Sequence, residues 1–133
     1  MKFLNNELIN FWLHESTIRF VRIQKNEIHL IFNKGFWDFN HRQKKNCTIV
    51  LTIKELNVEN VNSFVTITKG GIRKKKQFTL LNFNKAMLKS EFTIDVDYYS
   101  EFEKSIMLLG RIRNTEICFK VTDIDHITYL YDS

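Results

Sequence analysis

Short segments in which apolar residues alternate with other residues recur along this chain and limit the folds it can adopt. In CTIVLTI, every second residue from Cys47 to Ile53 is apolar, and the residues between them are Thr, Val and Thr. This period of two, rich in β-branched residues, is typical of a β-strand. Similar segments are SFVTIT at 63–68, EFTIDVDYY at 91–99 and EICFKVT at 116–122. The sequence therefore predicts a mainly β fold.

The spacing of these segments favours seven to nine strands in an antiparallel sandwich or a partly open barrel. Apolar residues at spacings near three and four in residues 3–13 predict a short N-terminal amphipathic helix. Residues 98–109 fit either a strand or a helix. With 133 residues and no proline, the chain shows no linker and is expected to form a single domain, residues 1–133.

Two hairpins can be predicted from their apolar pattern. Segments 17–23 and 28–32 flank a short polar turn, which places Ile23 opposite Ile28 on the paired strands. Segments 105–113 and 116–122 are expected to turn at Asn114–Thr115, with Ile112 opposite Ile117.

The most basic stretch is TKGGIRKKKQF at 68–78, with five cations and no acid. A tight turn at Gly70–Gly71 would set apolar residues of SFVTIT opposite lysines, and a buried lysine is costly. We therefore expect a projecting loop at residues 69–76, followed by a strand, FTLLNF, with Phe78 and Leu80 in the core. The predicted binding cations are Lys69, Arg73, Lys74, Lys75 and Lys76.

Composition excludes several classes of protein. Residues 1–90 carry 16 Lys and Arg against 6 Asp and Glu, whereas residues 91–133 carry 4 against 9. We expect these opposite charges mainly to neutralise each other. No apolar run reaches the length of a membrane span, and the first residues do not resemble a signal peptide. A cytoplasmic location is expected, in which Cys47 and Cys118 are reduced thiols.

Motifs of catalysis and metal binding are missing from the sequence. The four histidines do not share a zinc-ligand spacing with the cysteines, and no phosphate-binding glycine loop or nucleophile elbow occurs. The acid pair Asp95 and Asp97 has the spacing of Arg111 and Arg113, which favours cross-strand ion pairs over a cation site. We expect no enzyme activity, no cofactor and no metal.

Three stretches carry a resemblance to a known family: WLHESTIRFVRIQKNEIHLIF, which contains the polar step His14–Glu15, TIVLTIKELNVENV and the closing GRIRNTEICFKVTDIDHITYLY. They resemble small β-rich bacterial immunity proteins of polymorphic-toxin systems, and His14–Glu15 is the polar step that carries over. The resemblance implies tight binding to one cognate toxin without chemistry.

Two functions from different classes follow. The first is a non-catalytic protein-binding module with an acidic protein partner, whose aromatic contacts would include Trp37 and Tyr99. The alternative is a nucleic-acid-binding domain that uses the basic loop at 69–76. The only aromatic next to that loop is Phe78, and base stacking by single strands usually needs exposed aromatics, so we favour the protein partner.

Overall fold

A computed structural model describes residues 2–3, 13–32, 36–38 and 43–131, and arranges them mainly as two antiparallel sheets. Sheet A contains, in spatial order, β1 (Lys2–Phe3), β13 (Ile124–Tyr131), β7 (Cys47–Ile53), β4 (Glu27–Ile31) and β3 (Phe20–Gln24). Sheet B contains β2 (Thr17–Ile18), β10 (Phe92–Ser100), β11 (Ser105–Ile112), β12 (Thr115–Val121), β8 (Val61–Lys69) and β9 (Ile72–Gln77). A separate pair is formed by β5 (Phe36–Asp38) and β6 (Gln43–Lys45).

The predicted mainly β, antiparallel fold is confirmed, and within the described ranges neither sheet closes into a barrel. Those ranges hold thirteen strands rather than seven to nine, because four of them have only two or three residues. A strand of two or three residues is too short for an alternating apolar pattern to be recognised in the sequence. Both sheets contribute to one apolar core, which includes Ile49 and Leu51 from sheet A and Leu108 and Phe119 from sheet B.

The first hairpin was predicted correctly. Val21 pairs with Leu30 and Ile23 with Ile28, around a two-residue turn at Lys25–Asn26. Lys25 has a φ of +54°. Gln24 lies opposite Glu27, so the turn has the shortest common length for joining antiparallel strands.

The second hairpin turns one residue earlier than expected. Its turn is Arg113–Asn114, and Ile112 lies opposite Thr115 rather than Ile117. Each residue of β11 thus pairs with a residue of β12 two positions away from the predicted one. A shift by an even number leaves every side chain on its predicted face of the sheet. The apolar pattern therefore could not distinguish the two registers.

The basic stretch forms a tight hairpin, so the predicted projecting loop at 69–76 is wrong. β8 and β9 meet at Gly70–Gly71, where φ is +60° and +79°, and Ile67 lies opposite Lys74. Glycine adopts these positive φ values without strain. This register does not bury the lysines, because all six side chains of β9 are exposed. The hairpin extends past the core, so its apolar pattern does not fix its register.

A helix replaces the strand that FTLLNF was expected to form. α1 (Leu80–Lys89) begins after Thr79, whose side-chain oxygen accepts a hydrogen bond from the Asn82 N–H at 3.1 Å. Phe83 and Met87, one turn apart, are buried. Phe78 and Leu80 were expected in the core, and both are partly buried and packed against it.

Helix α1 also covers one edge of sheet A. The Asn84 side chain accepts a hydrogen bond from the Val21 N–H at 2.9 Å and donates one to the Val21 carbonyl at 2.8 Å. Its amide thus binds β3 as a neighbouring strand would, and it satisfies both main-chain groups of Val21.

Two further expectations concern the chain ends and residues 98–109. The predicted N-terminal helix falls largely on residues 4–12, which lie outside the described residues, while Lys2–Phe3 form β1. Residues 98–109 are not helical: β10 and β11 are joined by a turn at 101–104. In the described ranges, no helix is long and apolar enough to cross a bilayer.

Candidate protein-binding face

One face of sheet B points away from the core and carries a row of apolar residues on four strands, which ends at a glutamine on a fifth. Leu108 and Phe119 are fully buried. Because side chains alternate along a strand, Leu109, which follows Leu108, and Cys118, which precedes Phe119, point outward. The register places these directly opposed residues in one line, which we call the central row: Val96, Leu109, Cys118, Phe64 and Gln77. Val96 is 41% exposed, and Leu109, Cys118 and Phe64 are half-buried.

A second row lies beside the central row. Tyr98 lies opposite Met107, Met107 opposite Lys120, and Lys120 opposite Asn62. Tyr98 is 51% exposed, and the Lys120 ammonium lies 3.2 Å from a Glu103 carboxylate oxygen. This row combines an aromatic ring with a cation at the border of the apolar surface.

Ion pairs border the other side of the central row. Arg111 donates two hydrogen bonds to Asp95, of 3.0 and 3.1 Å, and Arg73 pairs with Glu116. The strand register shifts between Ile94 and Val96, so Asp95 is the extra residue of a β-bulge. The Asp95 carboxylate raises the pKa of Arg111 through its hydrogen bond and charge. The predicted pairing of these strands is thus confirmed for Asp95 with Arg111.

The two ion pairs border a cleft with an apolar floor. Its volume is about 470 Å³, and Leu109 and Cys118 line it between Arg73–Glu116 and Arg111–Asp95. An apolar centre with charged groups at its border matches the usual anatomy of a protein–protein interface.

The five predicted cations do not lie together on one side. Arg73, Lys74 and Lys75 all line the cleft, and the side chains of Arg73 and Lys75 lie on the outer face. Because β9 alternates, Lys74 and Lys76 share the opposite face of the strand with Ile72. Lys69 ends β8 beside the glycine turn. They form a basic strand edge rather than a loop.

Of the two predicted aromatic contacts, Tyr99 does not join this face, and Trp37 belongs to the separate pair of strands. Tyr99 is partly buried and packs against the core, and burial, together with the charge of Glu101, raises its pKa. Its neighbour Tyr98 is the exposed one. The backbone of Trp37 lies in β5, opposite Lys44, and its side chain lies outside the described residues. Sequence analysis missed Tyr98 and the central row, although alternation along 92–99 was a usable signal.

The two cysteines have different surroundings. Both are free thiols, as expected. Cys47 is buried in sheet A, and burial raises its pKa to about 12. Burial also raises the pKa of Cys118, while the positive charges of Lys75 and Lys120 act in the opposite direction. Cys118 is therefore the accessible thiol, and it lies in the central row.

Side chains that could carry chemistry are few in the described part. In the adjacent pair Asp125 and His126, Oδ2 lies 3.2 Å from Nε2, because a bulge at Asp125 interrupts the alternation of the strand. His14 and Glu15 lie in a turn, with His14 Nε2 3.8 Å from Glu15 Oε1. Across the described residues, no group of three or more His, Cys, Asp or Glu could hold a metal ion.

Comparison with known proteins adds no family to this description. No family model, curated protein or solved structure matches the chain.

Proposed function

We propose that this chain is a non-catalytic protein-binding module that binds an acidic region of a partner protein with the outer face of sheet B. The observation that carries the proposal is the central row, a line of apolar residues on four strands that ends at Gln77 on a fifth, and its side chains are half-buried or exposed. The core of an interface usually combines such an apolar centre with a polar and charged border.

The charge of the surface favours an acidic partner. β9 carries Arg73 to Lys76 without any acid, and of these cations Arg73 and Lys75 lie on the outer face. Opposite charges across an interface speed up encounter and select the partner. The resemblance to immunity proteins makes a toxin the first class of partner to test. We further propose that the module acts in the cytoplasm, where free thiols stay reduced.

Nucleic acid fits this face less well than protein does. The rings on this face are the half-buried Phe64 and the exposed Tyr98, and Val96, Leu109 and Cys118 between them have no ring on which a base stacks. A single strand would therefore lack the succession of rings on which its bases usually stack, which disfavours the nucleic-acid alternative.

A charge placed in the central row tests the proposal. Val96→Glu should weaken binding of a captured and purified partner at least ~30-fold, since an apolar contact is lost and a carboxylate meets an acidic surface. The matched control is Leu130→Glu, because Leu130 is 45% exposed on the outer face of sheet A and so resembles Val96 in exposure.

Capture from an extract of the source organism, with and without nuclease, supplies the partner, and the affinities are then measured with purified proteins. Equal affinity for Val96→Glu and Leu130→Glu would contradict the proposal. Loss of all captured material after nuclease treatment would favour the nucleic-acid alternative.

A further inference from the structure

β9 is the last strand of sheet B and pairs with β8 on one side only. Its register with β8 runs from Ile72 to Gln77 without a bulge, and all six of its side chains are exposed. In an antiparallel pair, every second residue directs its N–H and C=O away from the partner strand. β9 therefore presents a regular series of main-chain donors and acceptors along its second edge.

The other long edges of the two sheets are each covered in part, and on β13 the residues Ile127 and Thr128 pair with β1. Asn84 of α1 binds both main-chain groups of Val21 on β3. On β10, the carbonyl of Ile94 accepts from the Glu15 N–H at 2.8 Å, and its N–H donates to the Ser16 carbonyl at 2.9 Å. Among the described strands, none pairs with the second edge of β9. An uncovered, regular edge is a template for another strand.

The charges on β9 determine which kind of segment can pair with its free edge. Side chains directly opposite each other on antiparallel strands lie about 5 Å apart, where like charges destabilise and opposite charges stabilise. If two β9 strands paired antiparallel through their free edges, residues of the same face would lie opposite each other, so that Lys75 would face Lys75 and Lys74 would face Lys76. A second copy of this chain is therefore disfavoured at this edge. An extended segment rich in Asp and Glu places an acid against each cation.

We propose that β9 binds an extended acidic segment of the partner protein, which adds to sheet B as a further strand. This inference rests on the proposed function, because the added strand would continue the binding face. Gln77 of β9 lies opposite Phe64 and ends the central row, so the side chain opposite Gln77 on the added strand extends that row. Main-chain hydrogen bonds supply affinity in this mode of recognition, and side-chain positions supply specificity.

The test compares two synthetic peptides of the same sequence and charge, each with four consecutive acidic residues flanked by Val and Thr. One is N-methylated at the four acidic residues, which removes the donors needed for pairing but keeps the carboxylates. We expect the methylated peptide to bind the full chain at least roughly tenfold more weakly at low salt, since it loses several hydrogen bonds. The unmethylated peptide should also slow amide hydrogen exchange in β9.

Equal binding of the two peptides would overturn strand addition, because charge alone would then explain the contact. So would oligouridine that binds as tightly as the unmethylated peptide and in a manner that depends on Arg73 to Lys76. These outcomes are separate from the Val96→Glu comparison with the native partner. Strand addition can fail while Val96→Glu still weakens binding of the native partner. Conversely, the unmethylated peptide can add to β9 while Val96→Glu leaves the affinity for the native partner unchanged.

Discussion

Replacement of Gly110 by alanine is expected to lower the free energy of unfolding by about 3 kcal/mol, the upper end of the usual cost of overpacking. A Cβ at Gly110 would lie 2.1 Å from the Thr93 carbonyl oxygen and 2.7 Å from Cε1 of Phe92. Thr93 belongs to β10 and pairs with Arg111, so its backbone cannot move away without disturbing the sheet. Urea unfolding of the two proteins measures the difference.

The matched control for this prediction is Gly71→Ala. A Cβ at Gly71 meets nothing within 4 Å, but the φ of +79° strains any residue with a Cβ. We expect this change to cost about 1–2 kcal/mol, from backbone strain alone. If Gly110→Ala cost no more than Gly71→Ala, the close approach of β10 and Phe92 to Gly110 would be wrong.

The second large effect is expected for Phe83→Ala, at about 3–5 kcal/mol. The Phe83 ring is fully buried, and its centroid lies 5.2 Å from that of Phe92 and 5.5 Å from that of Phe119. The ring thus joins α1 to two strands of sheet B. Truncation removes these contacts and leaves a cavity that the sheet cannot readily fill.

Leu81→Ala is the control on the same helix. Leu81 is 64% exposed, so its truncation should change the free energy of unfolding by no more than about 0.5 kcal/mol. Thermal and urea unfolding of both variants give the comparison. Similar small losses for Phe83→Ala and Leu81→Ala would mean that α1 does not pack against sheet B as described.

The parts of the fold that could be predicted are those in which local pattern and core burial agree. In the hairpin of β3 and β4, the apolar residues and the two-residue turn lead to the same pairing. α1 was missed because Phe78, Thr79 and Leu80, where the helix begins, alternate as a strand does. The cap at Thr79 and the spacing of Phe83 and Met87 were the signals for a helix.

Of the candidate site, the sequence predicted the charged residues but not the central row. The cations from Arg73 to Lys76 stand together in the sequence, so they were found, but their place at the tip of a loop was assumed. The central row takes one residue from each of five strands, and adjacent members such as Phe64 and Cys118 are far apart in the chain. A row of this kind becomes visible only once the register of every strand pair is known.

The alkylation rate of Cys118 tests most directly whether the outer face of sheet B binds the partner. Cys118 lies in the central row, and Cys47, whose pKa burial raises to about 12, serves as an internal reference that stays unreactive in the folded protein. A saturating concentration of purified partner should slow alkylation of Cys118 at least roughly tenfold, because the core of an interface excludes solvent. Alkylation of Cys118 at the same rate in the free and bound protein would contradict the account.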